Sequence, residues 1–140
     1  MPMDSQSPIL SLKNAEIYQG DHLILSQVNL EMHKGDFIYL IGATGSGKSS
    51  LLKTLYADLP LTVGDGEFVG YDLRNLKDKD IPFLRRNLGI VFQDFQLLMD
   101  RSVFDNLDFV LQATGHHTKS ENSDRIQQVL KRMAIFWSQF

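Results

Sequence analysis

The chain has 140 residues, a formal net charge of -3 and no cysteine. That length fits one domain with a modest core, and the missing cysteines exclude disulfides and thiolate metal sites. The mild acidity gives no support for nucleic-acid binding.

The opening residues carry no basic segment followed by a long apolar run, so no signal peptide is expected. No window approaches the roughly 18 apolar residues of a membrane span. Together these predict a cytoplasmic protein. Residues 1–8 are expected to be a flexible lead. Ile9–Tyr18 shows partial alternation and predicts a strand. Gln19–His22 is a turn signal, and Leu23–Met32 alternates as a second strand. His33–Asp36 turns the chain again. Phe37–Gly42 is continuously apolar and aromatic, which predicts a strand buried on both faces.

A helical pattern follows from Lys48 to about Asp58, with Leu51, Leu52 and Leu55 on one face, and Pro60 ends it. Gly66–Asp72, "GEFVGYD", predicts one short strand. Asp78–Leu88 holds a short helix with Pro82 near its start and Phe83 and Leu84 facing inward. Leu88–Gln93 is a further apolar strand. Ser102–Thr114 is a helix that Ser102 caps, with Asp105 three residues on. After a polar loop, Ile126, Val129, Leu130 and Met133 recur at helical spacing. The tail "AIFWSQF" follows no pattern, and its Ile135, Phe136, Trp137 and Phe140 predict exposed apolar surface.

Between the apolar strand and the first helix stands Gly42-Ala43-Thr44-Gly45-Ser46-Gly47-Lys48-Ser49, which satisfies G-x-x-x-x-G-K-[ST] at every fixed position. Small residues let the backbone wrap around an anion so that successive N–H groups point at it. The helix that starts at Lys48 adds its unpaired N–H groups and positive dipole end. Lys48 adds a full charge, and Ser49 offers a hydroxyl to Mg²⁺. The stretch Gly42, Ala43, Thr44, Gly45, Ser46, Gly47, Lys48, Ser49 and Ser50 is therefore the candidate site for the phosphates of Mg²⁺-ATP. His116 and His117 have no third ligand at metal spacing and read as surface.

Such a loop occurs in kinases, GTPases, motors and transporters alike. Pro82–Leu107, with "PFLRR", "VFQD", "LLMDR" and "DNL" in that order, resembles ABC-type ATPases and, more narrowly, the FtsE-type cell-division ATPases. The resemblance runs from about Ile9 to Met133. It implies an α/β fold of the P-loop NTPase class: an ABC nucleotide-binding domain with N-terminal antiparallel strands. Residues 9–133 would be a partial ATP-binding domain, with the P-loop at 42–49, the Q-loop around 93 and the start of a helical subdomain at 102–133. Residues 134–140 would be a divergent tail.

By position, the resemblance makes Gln93 the residue that reaches Mg²⁺ and the attacking water, and Tyr18 the aromatic that stacks on adenine. It places an FtsX-like integral membrane protein against the region after Gln93, where Phe95, Leu97, Leu98 and Met99 cluster. It would hold the chain at the inner face of the membrane, and an intact form would dimerise. Arg85 and Arg86 read chiefly as solvated helix charge, with a partner or a phosphate as the other reading. The family also uses an LSGGQ-type signature, a strand ending in Asp-Glu and a switch histidine, none of which occurs in these 140 residues. The expectation is a truncated form that binds nucleotide with hydrolysis near background. The residues leave two other readings open. One is a compact P-loop kinase or NTPase with Asp94 as the acid of a metal strand, and the other is a non-catalytic nucleotide-binding or docking module.

Overall fold

The computed structural model describes residues 7–133, which form two compact units that divide between Gly89 and Ile90.

The first unit is built on a four-stranded antiparallel sheet in the order β2-β1-β3-β4. β1 spans Leu10–Gln19 and β2 spans His22–Met32, joined by the two-residue turn Gly20-Asp21. These match the predicted strands and turn. Leu10, Leu12, Ala15 and Ile17 of β1 are buried. The buried parity changes between Leu12 and Ala15, where the ladder shifts register at a bulge. Asn14 sits there with φ 46°. The Asn29 side chain secures the bulge: its Oδ1 accepts from Asn14 N at 3.0 Å, and its Nδ2 donates to Gln27 O at 2.9 Å.

β3 (Val63–Phe68) pairs with β1 and turns through Val69-Gly70 into β4 (Tyr71–Asp72). The single strand expected at Gly66–Asp72 is thus a short hairpin. Gly64 of β3 has φ +84°, and a Cβ there would lie 2.4 Å from Asn14 O and 2.6 Å from Ala15 Cα. The bulge of β1 therefore presses directly on this glycine, a constraint that only the pairing creates.

α1 (Lys48–Leu55) buries Ser50, Leu51 and Thr54, and the Thr54 hydroxyl donates to Ser50 O at 3.0 Å. Leu52, expected on the inner face, is half exposed. The inner stripe runs through the small polar residues because Thr54 can satisfy its own hydroxyl on the preceding turn. α2 (Ile81–Arg86) carries Pro82 at its start and buries Leu84 completely, at 0% exposure. Phe83 instead faces outward, with the Arg86 guanidinium 5.2 Å from its ring centre. Leu51, Leu61, Leu73 and Leu84 close the core against β1.

Two expected strands do not form. Phe37–Gly42 has no regular structure, and Phe37 and Ile41 are 79% and 88% exposed. Leu88–Gln93 is likewise irregular, with Val91 exposed. A strand buried on both faces takes its ladder from neighbours on either side. Among the described residues none pairs with either segment.

The second unit contains α3 (Val103–Ala113) and α4 (Lys119–Met133). Ser102 caps α3 as predicted, its Oγ accepting from Asp105 N at 3.1 Å. Asn106 holds the preceding loop: its Oδ1 accepts from Leu98 N at 2.8 Å and its Nδ2 donates to Leu98 O at 3.0 Å. In α4, Ile126 and Asn122 are buried, whereas Val129, Leu130 and Met133 of the predicted stripe are exposed. Asn122 Nδ2 donates to Asp108 Oδ1 at 3.0 Å and to His116 O at 3.1 Å, so a satisfied amide joins the two helices. Of the residues 1–8 expected to be flexible, 1–6 lie outside the described residues, as does the tail 134–140.

Candidate functional site

The phosphate loop begins in the irregular segment and ends where α1 starts. Ser46 N donates to Ala43 O at 3.1 Å, which closes a tight turn. Gly47 follows with φ 92° as the N-terminal cap of α1. A Cβ on Gly47 would come 2.9 Å from side-chain carbons of Ile24 and Leu25. The loop can reach back against β2 only because that Cβ is missing.

No side chain caps α1, and its first turn holds no acidic residue. The ladder starts with Leu51 N donating to Gly47 O at 2.9 Å. The N–H groups of Lys48, Ser49 and Ser50 precede it and have no acceptor within the helix. Together with the positive dipole end they make a surface that attracts an anion. Ser49 is exposed there, and the Ser50 side chain turns to the core.

The Lys48 ammonium folds over the loop. It donates to Gly42 O at 2.8 Å, to Ala43 O at 2.7 Å and to Ser46 Oγ at 3.3 Å. One charge thereby gathers three oxygens of the turn that an anion would approach. The donor set fits a polyphosphate: backbone N–H groups, an ammonium and a hydroxyl, without a first-turn carboxylate to repel it. Among the described residues no group of three His, Cys, Asp or Glu side chains converges to hold a metal. A cation at this loop would rest on Ser49 and on the phosphates it accompanies.

Tyr18 lies at the far end of β1, opposite Leu23 and near Leu25, which backs onto Gly47. Its hydroxyl donates to Glu16 Oε2 at 2.7 Å. That bond, then burial, then the negative charge of Glu16 hold the phenol above its ordinary pKa. Its ring borders a groove of about 490 Å³ shared with Leu59, Pro60, Thr62 and Val63. No residue of the phosphate loop lines that groove.

Gln93 belongs to the second unit, where it is exposed in a turn. Asp94 also sits in that turn rather than at a strand end. Phe95, Leu97 and Met99 are exposed, and Phe95 and Gln96 have φ of 55° and 46°. His116 and His117 are exposed, as expected.

Two partnerships were not legible beforehand. Glu16 shares a strand face with Tyr18 by the two-residue period, but that spacing alone does not specify the hydrogen bond. Arg85 donates from Nε to Tyr56 O at 2.9 Å and from Nη2 to Ala57 O at 3.2 Å, so its charge is not merely solvated. Nothing local in the sequence announces a contact across 28 or 29 residues.

The family model for ABC transporters matches residues 25–137. The chain is 32% identical over 118 residues to the cell division ATP-binding protein FtsE of Streptococcus pneumoniae serotype 2, covering 84% of this chain and 51% of that protein. Against FtsE of Bacillus subtilis it is 39% identical, covering 76% of this chain and 46% of that one. Against FtsE of Escherichia coli K12 it is 40% identical, covering 72% and 46%. The chain thus spans about half the length of the curated relatives it matches. Among solved structures, the dimeric post-hydrolysis state of the ATP-binding cassette MJ0796, bound to ADP and Pi, superposes with a TM-score of 0.72 at 29% identity. It covers 87% of this chain and 56% of that one. The Clostridium perfringens protein cbiO1, part of the ABC transporter complex cbiONQ, gives 0.76 at 27% identity, covering 91% and 51%.

Proposed function

The chain belongs to the ABC transporter family, and from that premise we propose that it binds the phosphate end of Mg²⁺-ATP at the loop 42–50. The observation that carries this reading is the N-terminus of α1, uncapped and free of acid, beneath the Lys48 ammonium. Lys48 would hold the β- and γ-phosphates, and the N–H groups from Gly45 to Ser50 would wrap them. Ser49 would ligate Mg²⁺, which when bound neutralises phosphate charge. Tyr18 would stack on adenine, with its hydroxyl steadied by Glu16. Gln93 would sense the γ-phosphate and the water beside it.

The FtsE relatives support a role in bacterial cell division, and the proposed partner is a membrane protein resembling FtsX. Phe95, Leu97 and Met99, exposed beside Leu98 on a loop fastened by Asn106, suit contact with that partner. No helix among the described residues is long and apolar enough to cross a membrane. The proposed place is the cytoplasmic face of the membrane, through the partner. Dimerisation of the kind seen for the cassette MJ0796 is proposed for a form that carries the signature motif. Water attacks a phosphoryl group poorly unless a carboxylate positions it. The Asp-Glu strand that supplies this group in the family is not among these 140 residues. The proposed activity of these residues is nucleotide binding through the loop 42–50.

Isothermal titration calorimetry tests the reading. Mg²⁺-ATP should give a saturable isotherm with the parent chain and a much weaker one with Lys48→Ala. A folded parent that gives no heat would refute it.

A further inference from the structure

α1 presents the phosphate loop at one end and meets Arg85 at the other. The two carbonyls that accept from Arg85 belong to Tyr56, the C-terminal cap, and to Ala57, which has φ 57° and reverses the chain. Asp58 N and Leu59 N both return to Lys53 O, at 2.8 and 3.2 Å, so the helix ends in a tight wrap. Carbonyls at this end carry the negative pole of the helix dipole, and a cation is best placed there. The planar guanidinium supplies two donors at fixed spacing, which a single ammonium does not.

We infer that Arg85 is a positioning residue for the phosphate loop: its fork fixes the C-terminal end of α1 and so holds the aim of the Lys48 and Ser49 end. The inference rests on the phosphate-binding reading above. α1 has eight residues, or roughly 12 Å of helix, so a tilt at one end moves the other by a comparable amount. Its N-terminus is backed by Ile24 and Leu25 at the bare α-carbon of Gly47, and its middle by Leu51 and Thr54 in the core. Leu84, adjacent to Arg85, is wholly buried in the same core as Leu51, so the base of the clamp is anchored. Arg85 is a helix length away from the loop and does not touch the anion. Arg86, its neighbour, lies over the Phe83 ring and is the natural control.

The test uses the full chain and three variants, Arg85→Ala, Arg85→Lys and Arg86→Ala, with folding checked by circular dichroism. Mg²⁺-ATP and inorganic triphosphate are titrated at low and high salt, and amide exchange of α1 is followed without ligand. Arg85→Ala should weaken both ligands by the same factor, about 3- to 10-fold, the range of an ordinary net hydrogen bond. The loss should persist near 1 M salt, where a distant charge is screened within about 3 Å. Exchange should quicken at Tyr56–Leu59 and at Leu51, whose N–H makes the first bond of α1. Arg85→Lys should recover part of the loss, and Arg86→Ala should match the parent.

Equal affinity and exchange in Arg85→Ala and parent would overturn the inference. So would an equal loss in Arg86→Ala, or a loss confined to ATP or to low salt. A parent that binds neither ligand would fail the nucleotide reading instead. The exchange arm would then decide: unchanged protection in Arg85→Ala overturns the clamp, and faster exchange at Leu51 supports it. If Arg85→Ala does not fold, Arg85→Lys carries the same comparisons.

Discussion

Gly64→Ala should cost this chain more stability than its position on a short strand suggests. Gly64 has φ +84°, and its added Cβ would lie 2.4 Å from Asn14 O, 2.6 Å from Ala15 Cα and 2.7 Å from Ala15 N. Ordinary carbon contacts lie at about 3.5–4.0 Å, so each is more than half an ångström too close. All three atoms are backbone, and none can swing aside as a flexible side chain would. The left-handed φ costs about 1–2 kcal/mol for a residue with a Cβ. Forcing extra volume into packed structure adds about 1–3 kcal/mol. The sum, roughly 2–5 kcal/mol, is a large share of the ~5–15 kcal/mol that holds a typical domain.

Gly20→Ala supplies the internal control. Gly20 has φ +59° with nothing within 4 Å of the added Cβ, so it bears the conformational cost alone. Urea unfolding of both variants, followed by far-UV circular dichroism, isolates the steric part as the difference between them. A Gly64→Ala midpoint no lower than that of Gly20→Ala would refute the reasoning about the β1 bulge.

Lys48→Ala should weaken Mg²⁺-ATP and inorganic triphosphate alike by at least ~10-fold, since a hydrogen bond to a charged group contributes about 1.5–3 kcal/mol; calorimetry reads this. Ser49→Ala should narrow the gap between titrations with and without Mg²⁺, leaving the metal-free affinity near that of the parent. Tyr18→Ala should weaken ATP more than triphosphate, and an equal loss for both would remove Tyr18 from the base site. The Tyr18 phenol is held above its ordinary value by Glu16. The stability it lends is therefore complete below pH ~10 and is lost as pH rises through the raised value. Phenolate absorbance should show a late-titrating component that Tyr18→Phe abolishes. Leu84→Ala should cost about 2–5 kcal/mol by urea unfolding, because the wholly buried side chain leaves a cavity in the core that packs α1.

The elements legible in advance are those whose causes lie within a few residues. Ser102 and Asp105 write the start of α3 in a four-residue window. Gly20-Asp21 writes the turn between two alternating strands. The phosphate loop is the clearest case, because its glycines, Lys48 and the following helix supply their own geometry along the chain. The inward face of α1 was only half legible, since Thr54 rather than Leu52 is buried, and a hydropathy pattern does not anticipate a hydroxyl satisfied on its own helix.

What the sequence by itself determined, then, is the local chemistry: where the chain turns, where its helices begin, and which loop collects donors for an anion. The tertiary structure decided what depends on distant partners. Phe37–Gly42 and Leu88–Gln93 have the composition of buried strands, yet among the described residues no neighbour offers them a ladder, and they stay irregular. Gly64 is constrained by a bulge about 50 residues earlier in the chain, and Arg85 caps a helix that ends about 30 residues before it. The reason is physical: caps and turns are satisfied within one or two turns of backbone, whereas strand pairing and packing are properties of two segments together.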